Sequence, residues 1–375
     1  MARRVLITGG AGFIGSHTAD RLIADGHHVR VLDNLTHTVH RNGIPAYLHP
    51  DIEFIEGDVR DRTALHRAMT GVDTVIHLAA YQDYLPDLST FFHVNAVSTA
   101  LIYELIVEHS LPIEKVLIAS SQFVQGEGLY RTESGEIRSP QFRPREQLEQ
   151  GKWEHCDEEG RPMTWVATPE TFASPPNAYA LSKYSQEQQG LVFGRRYDIP
   201  TTVLRYSIVQ GSRQSFFNAY SGACRLFSLH YYFGRRPTIF EDGRQVRDFV
   251  NIHDVVDANV MALEDERTSG RVFCVGGGRA YSITEFDRIV AKEFGAEDLE
   301  PDLPGLFRFG DTRHAVSDIS ALRSLGWEPR RDAVASVKEY AEYLRARVDV
   351  EDILAAAELT MRNVNVIGTV VSNNR

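Results

Sequence analysis

The chain has 375 residues, 43% of them hydrophobic, and a formal net charge of −11. That length suits one large core or two joined lobes, and the acidic balance argues against nucleic acid as the main partner, because phosphate backbones are met by basic faces. No run reaches the ~18 apolar residues of a membrane helix and no apolar leader with a cleavage site follows Met1, so no membrane partner and a cytoplasmic setting are expected.

In chain order, residues 4–8 read as a short buried strand, 13–25 as a helix ending near Gly26, and 28–32 as a second strand. A loop rich in His, Asn, Gly and Pro runs to Pro50, and the pattern then repeats. Strands at 53–56, 74–78 and 115–120 alternate with helices at 62–69 and near 91–109. Strands alternating with helices imply parallel βαβ units and an α/β fold with a doubly wound sheet of the Rossmann type. Residues 126–173 break the rhythm with Pro140, Pro144, Pro162 and Pro169, and read as an insertion holding a helix at 144–150 and a small hairpin. Its acidic cluster, Glu154, Asp157, Glu158 and Glu159, reads as a solvated turn. A strongly helical segment at 178–196 and a strand at 201–206 restore the pattern.

The expected division is a dinucleotide-binding domain of residues 1–205 and 246–277, and a smaller mixed α/β substrate domain of residues 206–245 and 278–350. A helical, mobile tail of residues 351–375 follows. Cys156, Cys224 and Cys274 have no paired spacing, which fits free thiols in a reducing compartment. The fourteen histidines form no His-x-x-x-His pair, so no metal site is expected.

Gly9, Gly12 and Gly15 follow the first strand and open the first helix, with Phe13 and Ile14 between the last two. This spacing allows a tight turn, close approach of backbone N–H groups to a pyrophosphate, and close helix–strand packing. Asp33 ends the second strand, 18 residues beyond Gly15. Its carboxylate can accept from both ribose hydroxyls and would repel a 2′-phosphate, so NAD is favoured over NADP. Tyr179 and Lys183, four residues apart, share one helix face. An ammonium there favours the phenolate, which suits a Tyr that exchanges a proton with a hydroxyl or carbonyl. Ser121 sits at the carboxyl end of a strand, where such sheets place their ligands.

With these residues in order, together with Gly57-Asp58-Val59, His77-Leu78-Ala79-Ala80, Asn95 and Arg247-Asp248-Phe249, the chain resembles the extended short-chain dehydrogenase/reductases over residues 3–345. Within them it is similar to the sugar-nucleotide epimerases and dehydratases. The resemblance implies Ser121, Tyr179 and Lys183 as catalytic residues. It implies contacts to the cofactor from Gly9, Gly12, Phe13, Ile14, Gly15, Asp33, Asn34, Asp58, Val59, Leu78, Ala79, Ala80, Asn95, Tyr179, Lys183 and Tyr206. For the substrate it implies Tyr81, Gln122, Asn218, Phe240, Arg247 and Arg313, the two arginines holding the diphosphate.

Gln122-Phe123 stands where dehydratases of this group carry an Asp-Glu pair, and neither residue can transfer a proton. The resemblance is greatest to the 4-epimerases of hexose nucleotides, the dTDP-L-rhamnose 4-epimerase-like set. Three positions depart from the pattern: Gln125, Ile208 and Gln210 replace Tyr, Asn and Tyr. The expected function is thus NAD-dependent epimerisation of a dTDP- or UDP-hexose at C4 through a keto-sugar, by a homodimer. The alternatives are a 4-ketoreductase or dehydrogenase with net redox, and a non-catalytic NAD-sensing regulator.

Overall fold

The computed structural model describes residues 2–83, 85–217, 222–363 and 367–371. Seven all-parallel strands form the main sheet, in the spatial order Glu53–Glu56, His28–Asp33, Arg4–Thr8, Thr74–His77, Lys115–Ser121, Thr201–Tyr206 and Arg271–Val275. The order reverses between Arg4–Thr8 and Thr74–His77, which opens a crevice at the carboxyl ends of the strands. The central strands are apolar on both sides because helices cover both faces. Val5, Ile7, Val31 and Leu204 face one core, and Leu6, Leu32, Ile118 and Val203 face the other.

Facing the Ala178–Tyr197 helix lies a continuous 22-residue helix, Leu88–His109, in which an 18-residue stretch has a mean hydropathy of 1.4 and is half buried. By length and composition it is apolar enough to cross a membrane, which the sequence did not lead us to expect. Its Ile102, Tyr103, Leu105 and Ile106 pack into the core beneath the sheet. Phe92–Val97 within it is a π-helical turn, and it carries Asn95. Such turns recur at functional sites.

A second core is built from Phe227, Phe249, Phe286, Val337 and Tyr340, between the helices Ala223–Tyr232, Ile283–Phe294 and Ala333–Arg345. Ile319, Leu322 and Trp327, assigned to the second lobe from sequence, pack instead into the first core. Three departures concern the insertion and the tail. The insertion holds the short helix Arg145–Glu149 and three antiparallel strands rather than a single hairpin. Glu158 and Glu159 are exposed, but Asp157, its side chain 7% exposed, is held by Arg161, and Glu154 turns inward to Arg313 and His314. The tail forms the expected helix, Leu354–Asn363, and adds an unexpected strand, Ile367–Thr369, which pairs with Leu306–Arg308; its polar end, 372–375, lies outside the described residues. All three cysteines are free thiols.

Beneath the crevice, Glu187 and Arg205 form a bidentate ion pair with both N···O distances at 2.7 Å, and Ser120 Oγ donates to the same carboxylate at 2.5 Å. The Glu187 side chain is wholly buried and that of Arg205 is 2% exposed. Removing one member strands the other charge in low dielectric. Glu187→Ala should therefore cost about 3–5 kcal/mol of stability in urea unfolding, whereas surface pairs such as Arg362–Glu358 should contribute under about 1 kcal/mol.

Candidate active site

The first crossover builds the phosphate end of the crevice. Gly9 adopts φ +69°, and a Cβ there would meet the Ala79 nitrogen at 2.7 Å. At Gly15 a Cβ would meet the Gly9 carbonyl oxygen at 2.5 Å. These contacts bring the loop against its neighbours and leave Gly12 as an N-cap without a side-chain hydrogen bond, so the first-turn N–H groups at Phe13 and Ile14 have no side-chain cap. Phe13 and Ile14 line the cleft. Asp33, 8% exposed, accepts from the amides of Ala11 and Leu35 at 3.0 and 2.9 Å. An N-terminal amide cluster beside a fixed carboxylate fits a dinucleotide whose ribose hydroxyls are free.

Asn34 donates to Asp58, and Arg60 grips Asp58 through two nitrogens. The Arg60 hydrogen bond holds the Asp58 carboxyl down at about 2. Val59 is buried in the core, so only its backbone can meet an adenine. The Leu78 and Ala79 amides donate to the Thr8 carbonyl and hydroxyl at 3.1 and 3.3 Å, which fixes the loop through Ala80. His77 bridges Thr8 and Ser98, and burial keeps it neutral with its pKa down at about 3.

Asn95 was expected to touch the cofactor, but its amide is committed to the protein. Its Oδ1 accepts from the Tyr81 amide at 2.8 Å, and its Nδ2 donates to the Tyr81 carbonyl and to Ser182 Oγ at 3.1 and 2.9 Å. It is a positioning residue that ties the crevice loop to the catalytic helix. The Tyr206 hydroxyl donates inward to Asn259 at 2.7 Å, so its ring, not its hydroxyl, lines the cleft. Tyr81 Oη donates to Asp87 at 2.7 Å.

The Ala178–Tyr197 helix is capped by Asn177, whose side chain accepts from the Ala180 amide. Tyr179 thus enters the floor of the cleft in the first turn, with Lys183 one turn further along the helix. Burial pushes the Tyr179 phenol up to about 12, and its hydrogen bond with Ser121 opposes this. Lys183 was expected to lower the phenol's pKa. Its Nζ instead donates to the Ala119 carbonyl at 2.9 Å, and burial brings the ammonium down to about 7 against the attraction of Glu187. Ser121 therefore contacts the phenol directly, and Lys183 lies behind it on the same helix.

From this floor a cavity of about 910 Å³ runs into the second lobe, past Gln122, Ile208, Phe240, Arg247 and Arg308. Gln122 is held by Ser317 at 2.8 Å, and Phe123 stands edge-on to the Tyr179 ring. Arg247 donates to the Thr312 and Arg313 carbonyls, which aim its guanidinium along the cleft wall.

Arg313 does not join it. Its side chain is fully buried and donates to Glu154, Glu241 and Asp242, so it cannot also hold a diphosphate. Arg308, which the sequence analysis missed, lines the cleft and stacks on Phe240 at 4.5 Å from the ring centroid. A signal for it was present: Leu306-Phe307-Arg308 alternates, with Phe307 wholly buried.

Of the three departures only Ile208 reaches the cavity. Gln125 donates to the Thr168 and Pro169 carbonyls and anchors the insertion, and Gln210 is buried beside Asn251. Asn218 lies outside the described residues.

The model of the NAD dependent epimerase/dehydratase family matches residues 5–150 and 157–276. The chain belongs to this family. It is 35% identical over 354 residues to the dTDP-L-rhamnose 4-epimerase of Burkholderia thailandensis, covering 92% of this chain and 96% of that one. Among solved structures it is similar to the UDP-glucose 4-epimerase of Thermotoga maritima with UDP-glucose, with a TM-score of 0.74, 29% identity, and coverage of 91% and 98%. The Thermus thermophilus UDP-glucose 4-epimerase in complex with NAD gives a TM-score of 0.70, 26% identity, and coverage of 92% and 100%. NAD is thus the cofactor of the family, and the glycine cradle and Asp33 fit it.

Loss of the phenol hydroxyl in Tyr179→Phe should lower turnover by roughly 10²–10⁴ while bound NAD, read by absorbance after denaturation, is retained. Asp33 should set cofactor choice. Wild type should bind NAD at least about tenfold more tightly than NADP, and Asp33→Ser should narrow that gap in a calorimetric titration.

Proposed function

We propose that this family member is a 4-epimerase of nucleoside-diphosphate hexoses, with a dTDP-6-deoxyhexose as the favoured substrate. The observation that carries this reading is a single cleft with Ser121 and Tyr179 at one end and Arg247 and Arg308 further along it. A sugar–diphosphate–nucleoside has its parts in that order. The likeness to the Burkholderia enzyme, whose name specifies dTDP-L-rhamnose, favours the deoxyhexose.

NAD, when bound, supplies reversible two-electron redox chemistry at the sugar carbon. Tyr179 takes the proton of the sugar hydroxyl and returns it to the keto oxygen, and Ser121 hydrogen-bonds that oxygen. The phenol sits at about 12 in the protein alone. Its conversion to phenolate at neutral pH is favoured by positive charge close by, which an oxidised nicotinamide would provide. Arg247 and Arg308 hold the diphosphate while the sugar turns to present its other face. With Gln122 and Phe123 in place of an acid and a base, elimination of water has no proton donor or acceptor there.

Two adjacent helices leave Val97 and Val107, and Leu181 and Val192, exposed. We assign this apolar face to a homodimer contact, with sedimentation as its test.

Incubating the enzyme with dTDP- and UDP-hexoses and no added cofactor should give a new anomeric NMR signal. NAD should remain bound through gel filtration, as a net oxidoreductase would not require. Arg247→Ala and Arg308→Ala should each lower kcat/KM by about 2–4 kcal/mol, mainly through KM, since a charge-assisted contact to a partly buried diphosphate is lost. Arg313→Ala should instead lower the melting temperature, leaving three carboxylates without their shared cation.

A further inference from the structure

The cavity that holds Arg247 and Arg308 is also lined by the tail. Leu354, Ala355 and Glu358 of the tail helix and Ile367 of the tail strand contribute to the lining, as do His230 and Thr238. Two sets of contacts hold the tail in place. Before the helix, Arg235 pairs with Asp352 at 2.5 Å and Arg41 with Glu351 at 2.5 Å, while Ile353 and Leu354 are buried in the second core.

Beyond the helix, Ile367–Thr369 runs antiparallel to Leu306–Arg308, with Ile367 opposite Arg308 and Gly368 opposite Phe307. The Val370 and Val371 amides continue the contact, donating to the Gly305 carbonyl at 3.1 Å and to the Glu149 carbonyl of the insertion at 2.9 Å. Gly368 is required by shape: a Cβ there would meet Phe307 Cζ at 2.4 Å, and Phe307 is wholly buried. The tail strand thus lies flat on the strand that carries Arg308 and joins it to the insertion.

We propose that the C-terminal tail is the outer wall of the nucleoside subsite, and that its strand fixes Arg308 for the diphosphate. This rests on the sugar-nucleotide reading of the cleft: with the sugar at Tyr179 and the diphosphate at Arg247 and Arg308, the nucleoside occupies the part the tail lines. The wall is mostly apolar, from Leu354, Ala355 and Ile367, with Glu358 as its one carboxylate among these four. Such a surface packs against a pyrimidine face and leaves polar recognition to groups across the cleft. The tail accordingly contributes to nucleotide affinity and base selection and has no part in the proton transfer at Tyr179.

The test uses the full chain, a chain ended after Asn363, which keeps the tail helix and its buried Leu354, and Gly368→Val, which drives the strand off Phe307. Binding of free dTDP and UDP is measured by calorimetry, alongside bound NAD, thermal unfolding and turnover of the sugar nucleotide. In both variants the Kd for the nucleoside diphosphate and the KM should rise about tenfold or more, with kcat within about threefold of wild type and NAD content unchanged. A fall in kcat at unchanged KM, or unchanged nucleotide affinity in Gly368→Val with its strand shown displaced by proteolysis at the tail, would overturn the proposal. Should the full chain itself bind neither dTDP nor UDP, it is the sugar-nucleotide reading that fails.

Discussion

The catalytic floor depends on one buried carboxylate. Glu187, two turns from Tyr179 and one from Lys183 on the same helix, accepts from Arg205 on one strand and Ser120 on the next. It therefore fixes the rotation and height of the helix against the strand ends that carry Ser121 and Tyr206. The third guanidinium nitrogen of Arg205 donates to the Phe172 carbonyl at 2.7 Å, which ties the end of the insertion to the same point. In low dielectric each of these groups is costly unless all are satisfied. The geometry of proton transfer is thus coupled to the integrity of the core.

Asn95 does for the other side of the helix what Glu187 does below it. The π-helical turn offsets the helix ladder and carries Asn95 where its amide meets both the N–H and the carbonyl of Tyr81, and Ser182. The loop after the fourth strand and the helix bearing Tyr179 consequently share one rigid link. A residue can be essential to a cofactor site without touching the cofactor, and Asn95 is placed to act in that way.

The second lobe separates three arginines by what surrounds them. Arg313 is enclosed by Glu154, Glu241 and Asp242, and Arg143 grips Glu241 from the insertion with two bonds at 2.9 Å. This cluster joins the insertion to the lobe and uses all of the Arg313 guanidinium. Arg247 is aimed by carbonyls rather than neutralised by a buried carboxylate, and its nearest acid, Asp311, lies at 3.5 Å. Arg308 is laid on Phe240, and its strand is covered by the tail. The surroundings of Arg313 make it a structural tie, whereas Arg247 and Arg308 line the cleft.

Local pattern was sufficient for the Rossmann half. Alternating apolar strands and helices set the sheet, and the glycines at 9, 12 and 15 with Asp33 set the cofactor loop, because both signals are written in residues close together in the chain. Tyr179 and Lys183 were legible for the same reason, one helical turn apart. What lay hidden depends on partners far apart in sequence. Arg313 and Arg308 are five residues apart, and only packing against residues near 154 and 241 on one side and 367 on the other separates their fates. Gln125 stood out only as a departure from the family pattern, and the Thr168 and Pro169 carbonyls that occupy its amide lie more than 40 residues away in the chain. The tail strand was not legible, because its place comes from a strand edge that the chain displays about 60 residues earlier. Short-range periodicity therefore determined the fold of the cofactor half and its chemistry. Long-range contacts decided which charges are buried, which face the cleft, and what lines it.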